Sequence, residues 1–288
     1  MVNLALYALI VSIWGSTWLA ITFQLGVPVA TAIGWRFLLA SLLLLGWCRA
    51  RRVALRFDRH QWALAIGQGL LNYGISYWLV YEAEARLSSG LVAVIFSLLM
   101  VFNMIGGSLF FGQRITLRVA AGAALGVLGV ALVFWPELAG FGKGGILLAL
   151  GGTLLTAGGN LLAMRAHRSG IGLIPGMAVG MGAAGLALLA YAGLSGQSMA
   201  IPLTARFLLP LLYLSLFGSV IGFAAYLGLI ERVGAAPASY ANVLTPIVSL
   251  ALSSLFEGYQ WRIFAVAGLL VSLLGNLLVM SGKMRAAS

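Results

Sequence analysis

Ten apolar stretches, each long enough to cross a hydrocarbon layer, fill almost the whole chain and leave no room for a water-soluble domain. They fall at residues 3–23, 31–48, 62–81, 89–111, 119–135, 145–164, 173–194, 208–230, 236–256 and 263–281. A helix rising about 1.5 Å per residue needs about 20 apolar residues to cover a bilayer core of ~30 Å. Inside lipid every backbone N–H and C=O must find a partner within the protein, so runs of this length are helices. Composition agrees: 62% of the 288 residues are hydrophobic and 8% are charged, against roughly 25% charged in a soluble domain. The first run is too long for a signal peptide and has no basic lead, so it reads as a span.

The charge balance then fixes direction. Seventeen Lys and Arg stand against six Asp and Glu. On a soluble chain that excess would point to nucleic acid. Here the charges sit between apolar runs, so the expected contacts are anionic lipids of the cytoplasmic face, with no nucleic-acid partner. Twelve basic residues fall on one side: Arg49, Arg51, Arg52, Arg56, Arg59, Arg114, Arg118, Arg165, Arg168, Arg232, Lys283 and Arg285. Arg86, Lys143, Arg206 and Arg262 fall on the other, and Arg36 lies within a span. The positive-inside rule places both termini in the cytoplasm and requires an even number of crossings. The single cysteine, Cys48, excludes an internal disulfide and a cysteine-cluster metal site.

Shifting the chain by 146 residues against itself aligns 86–133 with 232–279 without a gap. Twelve of 48 positions are then identical, among them Ser108-Leu109-Phe110 with Ser254-Leu255-Phe256 and Ala121-Gly122 with Ala267-Gly268. Two halves, 1–140 and 141–288, would each hold five spans. An odd number forces the second half to enter the membrane from the opposite side. The expected fold is therefore an all-α polytopic membrane protein, ten transmembrane helices as two inverted five-helix repeats. Such architectures hold a small-molecule substrate between the halves near the midplane.

Trp14-Gly15-Ser16 and Arg36-Phe37-Leu38-Leu39-Ala40 resemble the first half of an EamA repeat, and Leu244-Thr245-Pro246-Ile247-Val248 with Phe256-Glu257 and Gly268 resembles the end of the second. EamA repeats belong to the drug/metabolite transporter (DMT) superfamily. Ser76-Tyr77-Trp78-Leu79-Val80-Tyr81-Glu82 is similar to the third span of YddG-type aromatic amino-acid exporters. The resemblance implies a monomeric amino-acid exporter of the bacterial inner membrane with an aromatic or apolar bias, working by alternating access without a cofactor. The chain departs from the pattern at Met100, which faces Pro246 in the repeat alignment, and at Gln113, near where the family often has Glu.

The candidate substrate cavity is assembled from polar and aromatic residues inside the spans. Tyr73, Tyr77 and Tyr81 recur every four residues, with Ser76 and Trp78 among them, and so share a broad helical face. Trp14, Thr17 and Trp18 share a face of the first span, and Thr153, Thr156 and Asn160 a face of the sixth. Asn242, Thr245, Ser249 and Ser253 line the ninth, whose Pro246 cannot donate to the carbonyl four residues earlier. Phe96, Asn103, Phe223 and Tyr240 complete the candidate lining. Interfacial anchoring suffices for Tyr81, and helix packing alone would account for several of the others. Met100, Gly106, Gly107 and Pro246 are candidate hinges.

The ionisable residues narrow the chemistry. Arg36 is expected to pair with Glu82 or Glu84 at the outer end of the third span, the alternative being capture of a substrate carboxylate. No carboxylate falls mid-membrane, which predicts facilitated diffusion, or coupling not carried by a buried acid. His60 and His167 fall between the apolar runs, in predicted cytoplasmic loops, so no catalytic or metal-binding set is expected, and polytopic membrane enzymes of the aspartate or histidine kinds are excluded. Phosphate-bearing substrates would need several deep cations, and Arg36 is the one candidate. Broader drug or metabolite efflux is the remaining alternative.

Overall fold

In a computed structural model of the chain, residues 2–112, 115–135, 143–233 and 240–284 are described. Among them the backbone forms ten helical rods, in chain order α1 (Val2–Thr22), α2 (Val29–Ala50), α3 (Arg59–Glu84), α4 (Ser89–Phe111), α5 (Leu117–Phe134), α6 (Lys143–Arg168), α7 (Leu173–Leu194), α8 (Ala205–Val233), α9 (Tyr240–Phe256) and α10 (Ile263–Met284). Seven helices are long and apolar enough to cross a membrane: α1, α2, α4, α5, α6, α7 and the Ala205–Tyr226 part of α8. In α9 and α10 the apolar helices are shorter, Leu244–Phe256 and Ile263–Leu278. The protein is thus an all-helical membrane protein. Gln113, Arg114, Glu137, Arg285 and the 140/141 boundary lie outside the described residues.

Two rods change their winding partway. In α3, Arg59–Gly69 passes through a π-helical Leu70–Ile75 before Ser76–Glu84. In α8, Ala205–Leu212 passes through a π-helical Tyr213–Ile221 before Gly222–Val233. Adding the 146-residue repeat offset to 70–75 gives 216–221, inside the second wide segment, so the two halves carry the distortion at the same place. Wide turns spoil the i to i+4 ladder, and nearby hydroxyls take up carbonyls: Ser76 donates to the Asn72 carbonyl at 2.7 Å and Ser219 to that of Leu214 at 3.0 Å.

The entry to α3 is set by a capping box. The Gln61 amide donates to Asp58 Oδ1 at 2.8 Å, while the Asp58 amide donates to Gln61 Oε1 at 3.0 Å, satisfying two donors at once. Gln61 Nε2 also reaches the Ser169 carbonyl at 2.7 Å and ties this end of α3 to the α6–α7 turn. Asp58→Ala is expected to cost about 1 kcal/mol, visible as a lower thermal midpoint in detergent. An unchanged midpoint would show that the Gln61–Ser169 tie alone holds this end.

Glycines set the helix–helix distances. A Cβ on Gly129 would meet the Gly268 carbonyl and Ser272; one on Gly268 would lie 2.5 Å from the Gly129 carbonyl; one on Gly275 would lie 2.5 Å from the Gly122 carbonyl. Contacts therefore run 122 to 275 and 129 to 268, so α5 and α10 are antiparallel. Because 122 and 129 correspond to 268 and 275 under the repeat offset, the contact is reciprocal, as a two-fold axis perpendicular to the helices requires. The α2–α7 pair runs antiparallel too: Gly34 meets Leu189 and Gly185, while the Ser41 hydroxyl donates to the Ala178 carbonyl at 2.7 Å. Helix α9 is held to α1 by Ser249, which donates to the Gly15 carbonyl at 2.9 Å, and to α4 where Gly90 meets Leu250.

Candidate functional site

Helix α1 presents one face to both halves of the chain. Trp14 Nε1 donates to the Gly218 carbonyl of α8 at 3.3 Å, and its ring lies 5.4 Å from Phe223 and 5.1 Å from Tyr226. One turn on, the Trp18 ring meets Phe96 of α4 edge-on at 5.1 Å. Tyr213 of α8 shares a 2.7 Å hydrogen bond with Ser16. The rings of Trp14, Trp18, Phe96 and Phe223 are half-buried. They form an aromatic strip from α4 across α1 to α8.

A second cluster surrounds Arg36 on α2. Its guanidinium lies 4.8 Å from the Tyr77 ring centre and 5.0 Å from that of Phe37, and Nη1 donates to the Tyr81 hydroxyl at 3.3 Å. Tyr81 in turn donates to Gln24 Oε1 at 2.6 Å. Phe37 packs on Tyr73 at 5.1 Å and on Tyr77 at 4.9 Å. From α8, Ser215 donates to the Arg36 carbonyl at 3.0 Å. The expected pairing of Arg36 with Glu82 or Glu84 is corrected here. Glu82 pairs with Arg86 at 2.8 Å, one turn along its own helix, and this is the one ion pair among the described residues. Arg36 instead takes a tyrosine hydroxyl and two ring faces, because Phe37 and Tyr77 bracket it before it can reach the helix end.

The other sequence candidates divide between lining and scaffold. Tyr73 is buried against Phe37 of α2, Trp78 turns to Tyr191 of α7 at 4.9 Å, and Ser76 serves the π segment of its own rod, so the face 73–81 is divided between two neighbours and α3 itself. Thr17, Thr156 and Thr245 are buried, and each donates to a carbonyl of its own helix. Asn160 reaches Asn103 at 3.4 Å, joining α6 to α4. Gly106 packs on Leu161, Gly107 and Pro246 are buried, and Met100 is half-buried. The side chains of Tyr240 and Asn242 lie outside the described residues. The lower half of the α9 polar line binds its neighbours: Ser249 holds α1, and Ser253 accepts from the Gly90 amide of α4 at 2.7 Å.

Two carboxylates stand differently from the sequence expectation. Glu257, just beyond α9, accepts from the Ser89 amide at 3.2 Å and from the Ser89 hydroxyl at 2.5 Å, and Ser253 donates to it as well. It therefore clamps the first turn of α4, whose amides have no partner within the helix. Glu84, the last residue of α3, is 5% exposed and neither oxygen has a hydrogen-bond partner. The expectation of no buried acid fails at the end of α3: a residue at the end of an apolar run looks interfacial, but Glu84 is buried there. Gln24, Ser89 and Glu257 were also missed; the visible signal was the Ser249–Ser253–Glu257 spacing of four, which aligns them on one helical face.

Both halves of the chain match one family model, the EamA-like transporter family, over residues 3–135 and 143–281. An Escherichia coli K12 protein described as an uncharacterized inner membrane transporter, YedA, is 32% identical over 259 residues, covering 87% of this chain and 81% of its own. A Bacillus subtilis protein described as an uncharacterized transporter, YvbV, is 28% identical over 271 residues, covering 92% and 87%. Salmonella typhimurium PagO is 24% identical over 266 residues, covering 90% and 86%. One solved crystal structure superposes with a TM-score of 0.70 over 99% of both chains at 16% identity, a likeness of fold.

Proposed function

Since the chain belongs to the EamA-like transporter family and so is a membrane transporter rather than an enzyme, we propose that it exports amino acids with aromatic or apolar side chains across the bacterial inner membrane by alternating access. Ten crossings in two inverted halves, 1–140 and 141–288, with both termini cytoplasmic, complete this reading. The reciprocal, antiparallel α5–α10 contact supports the inversion, and the segregation of Lys and Arg supports the orientation. The location follows that of YedA, an inner membrane transporter.

The observation that carries the substrate class is the strip Phe96–Trp18–Trp14–Phe223, with rings from both halves and none fully buried. Half-covered rings at the seam between moving units offer flat apolar area to a small side chain. A counterflow assay in proteoliposomes with labelled phenylalanine, tryptophan, methionine, threonine and glutamate tests it. Phenylalanine and tryptophan are expected to exchange fastest and glutamate not at all. Phe96→Ala should weaken aromatic exchange about twofold to tenfold, the ~0.5–1.5 kcal/mol of one aromatic pair. Fast glutamate exchange, or equal rates for all five, would overturn the assignment.

A further inference from the structure

We infer that the outer segment of α4, Ser89–Phe96, is a gate arm that pivots at Ser97–Leu98, and that Ser253 and Glu257 of the second half latch it shut, so that the solute-free protein rests closed to the outside. The inference rests on the alternating-access reading and its orientation; it does not rest on the amino-acid reading.

The latch is the first part of the argument. Glu257 accepts from the Ser89 amide and hydroxyl, and Ser253 accepts from the Gly90 amide at 2.7 Å. Both acceptors belong to the second half and both donors to the first. A Cβ on Gly90 would lie 2.8 Å from the Leu250 Cα, so the two backbones touch here and leave no passage between them. The first amides of a helix have no partner within it, and a carboxylate gives them a charge-assisted one. This contact stands at the end of both helices, where water can take over the amides once they part. Release therefore exchanges hydrogen bonds and leaves no polar group bare.

The pivot is the second part. The helical winding of α4 stops after Phe96 and resumes at Leu99. Across the break the Leu98 amide donates to the Ile95 carbonyl at 3.0 Å and the Val101 amide to the Leu98 carbonyl at 2.9 Å, spans of three residues in place of four. The repeat offset carries Ser97–Leu98 onto Val243–Leu244, beside Pro246, which leaves the Asn242 carbonyl without its amide. The two helices that meet at the latch are thus both interrupted at one level. Helix α9 packs along Ser89–Phe96, whereas Leu99–Phe111 lies against α6, where Gly106 meets Leu161. Phe96 is the last residue of the arm and its ring meets Trp18, so swinging the arm outward parts the aromatic strip.

Asymmetry sets the resting state. The same offset maps Ser253, Glu257, Ser89 and Gly90 onto Gly107, Phe111, Ala235 and Ala236. None of these four has a polar side chain, so the corresponding contact at the cytoplasmic end has no latch. An inverted pair with a polar latch at one end alone favours the state closed at that end.

Spin labels at Ala85→Cys and Gln260→Cys, both exposed positions, report the separation of the halves at the outer end in a Cys48→Ala background. Without solute this protein should give one short distance. Adding Glu257→Gln should raise the population of a longer distance about tenfold, the effect of losing one charge-assisted hydrogen bond. Should Glu257→Gln fail to fold, Ser253→Ala carries the same expectation. Ser89→Cys with Ser253→Cys, replacing hydroxyls 3.1 Å apart, should form a disulfide that stops counterflow until it is reduced. Identical distances in the background and the folded variants, a long distance predominating in the solute-free background, or full counterflow through the disulfide-linked protein would overturn the inference. If none of the five amino acids exchanges, the substrate reading falls, while the spin-label distances still judge the latch.

Discussion

Gly268→Val is expected to leave no monodisperse protein after extraction from the membrane. A Cβ at this position would lie 2.5 Å from the Gly129 carbonyl, 2.6 Å from the Val133 amide nitrogen and 2.8 Å from a Val133 methyl. Two of those three atoms are backbone, so relief requires α5 and α10 to separate along their length. The cost exceeds the ~1–3 kcal/mol of ordinary overpacking, where side chains can give way. No hydrophobic drive pulls helices together within lipid, so lost van der Waals contact is not recovered. Gly46→Val is the control, since a Cβ there meets nothing within 4 Å. Size-exclusion profiles of the two variants in the same detergent give the comparison. A normal profile for Gly268→Val would show that the reciprocal contact does not hold the halves together.

Arg36→Gln is expected to be the most damaging change of a single side chain. It removes a buried cation from two ring faces and from the Tyr81 hydroxyl. A desolvated cation–ring contact is worth about 2 kcal/mol, and the neighbouring Glu84 would lose the positive charge in its reach. The thermal midpoint in detergent should fall for every substrate condition alike. Arg36→Lys should recover little, because an ammonium cannot stack as a planar guanidinium does. A stable Arg36→Gln protein that loses carboxylate-bearing solutes alone would assign Arg36 to the substrate instead.

The rods were readable from hydropathy because lipid allows little else: the run 173–194 coincides with Leu173–Leu194, and 31–48 falls inside Val29–Ala50. Helix α3 is longer than its apolar run, 62–81, since the Asp58 cap starts it early and its last turn runs on to Glu84. The aromatic strip was legible residue by residue, for Trp and Phe inside a span announce themselves, but which ring meets which depends on helix order in space. Glu84 and Glu257 were misread for the same reason. The burial of Glu84 and the contact of Glu257 with Ser89 both depend on helices distant in sequence meeting at one end, and local sequence carries no trace of that meeting. The π segments leave no periodic mark either, as one surplus residue shifts a hydrophobic pattern too little to register.

The wide turn at Leu70–Ile75 makes the two ends of α3 separate instruments on a single shaft. One residue corresponds to about 100° of helix rotation. Deleting one within the bulge would leave the Tyr77–Tyr81–Glu84 edge facing its neighbours while swinging Gln68 away from the Gly176 carbonyl it holds at 3.0 Å. The surplus residue acts as a phase setting between the first half of the rod and its second half. Since α8 carries the same setting, a length change tolerated in one half would leave the pair out of step.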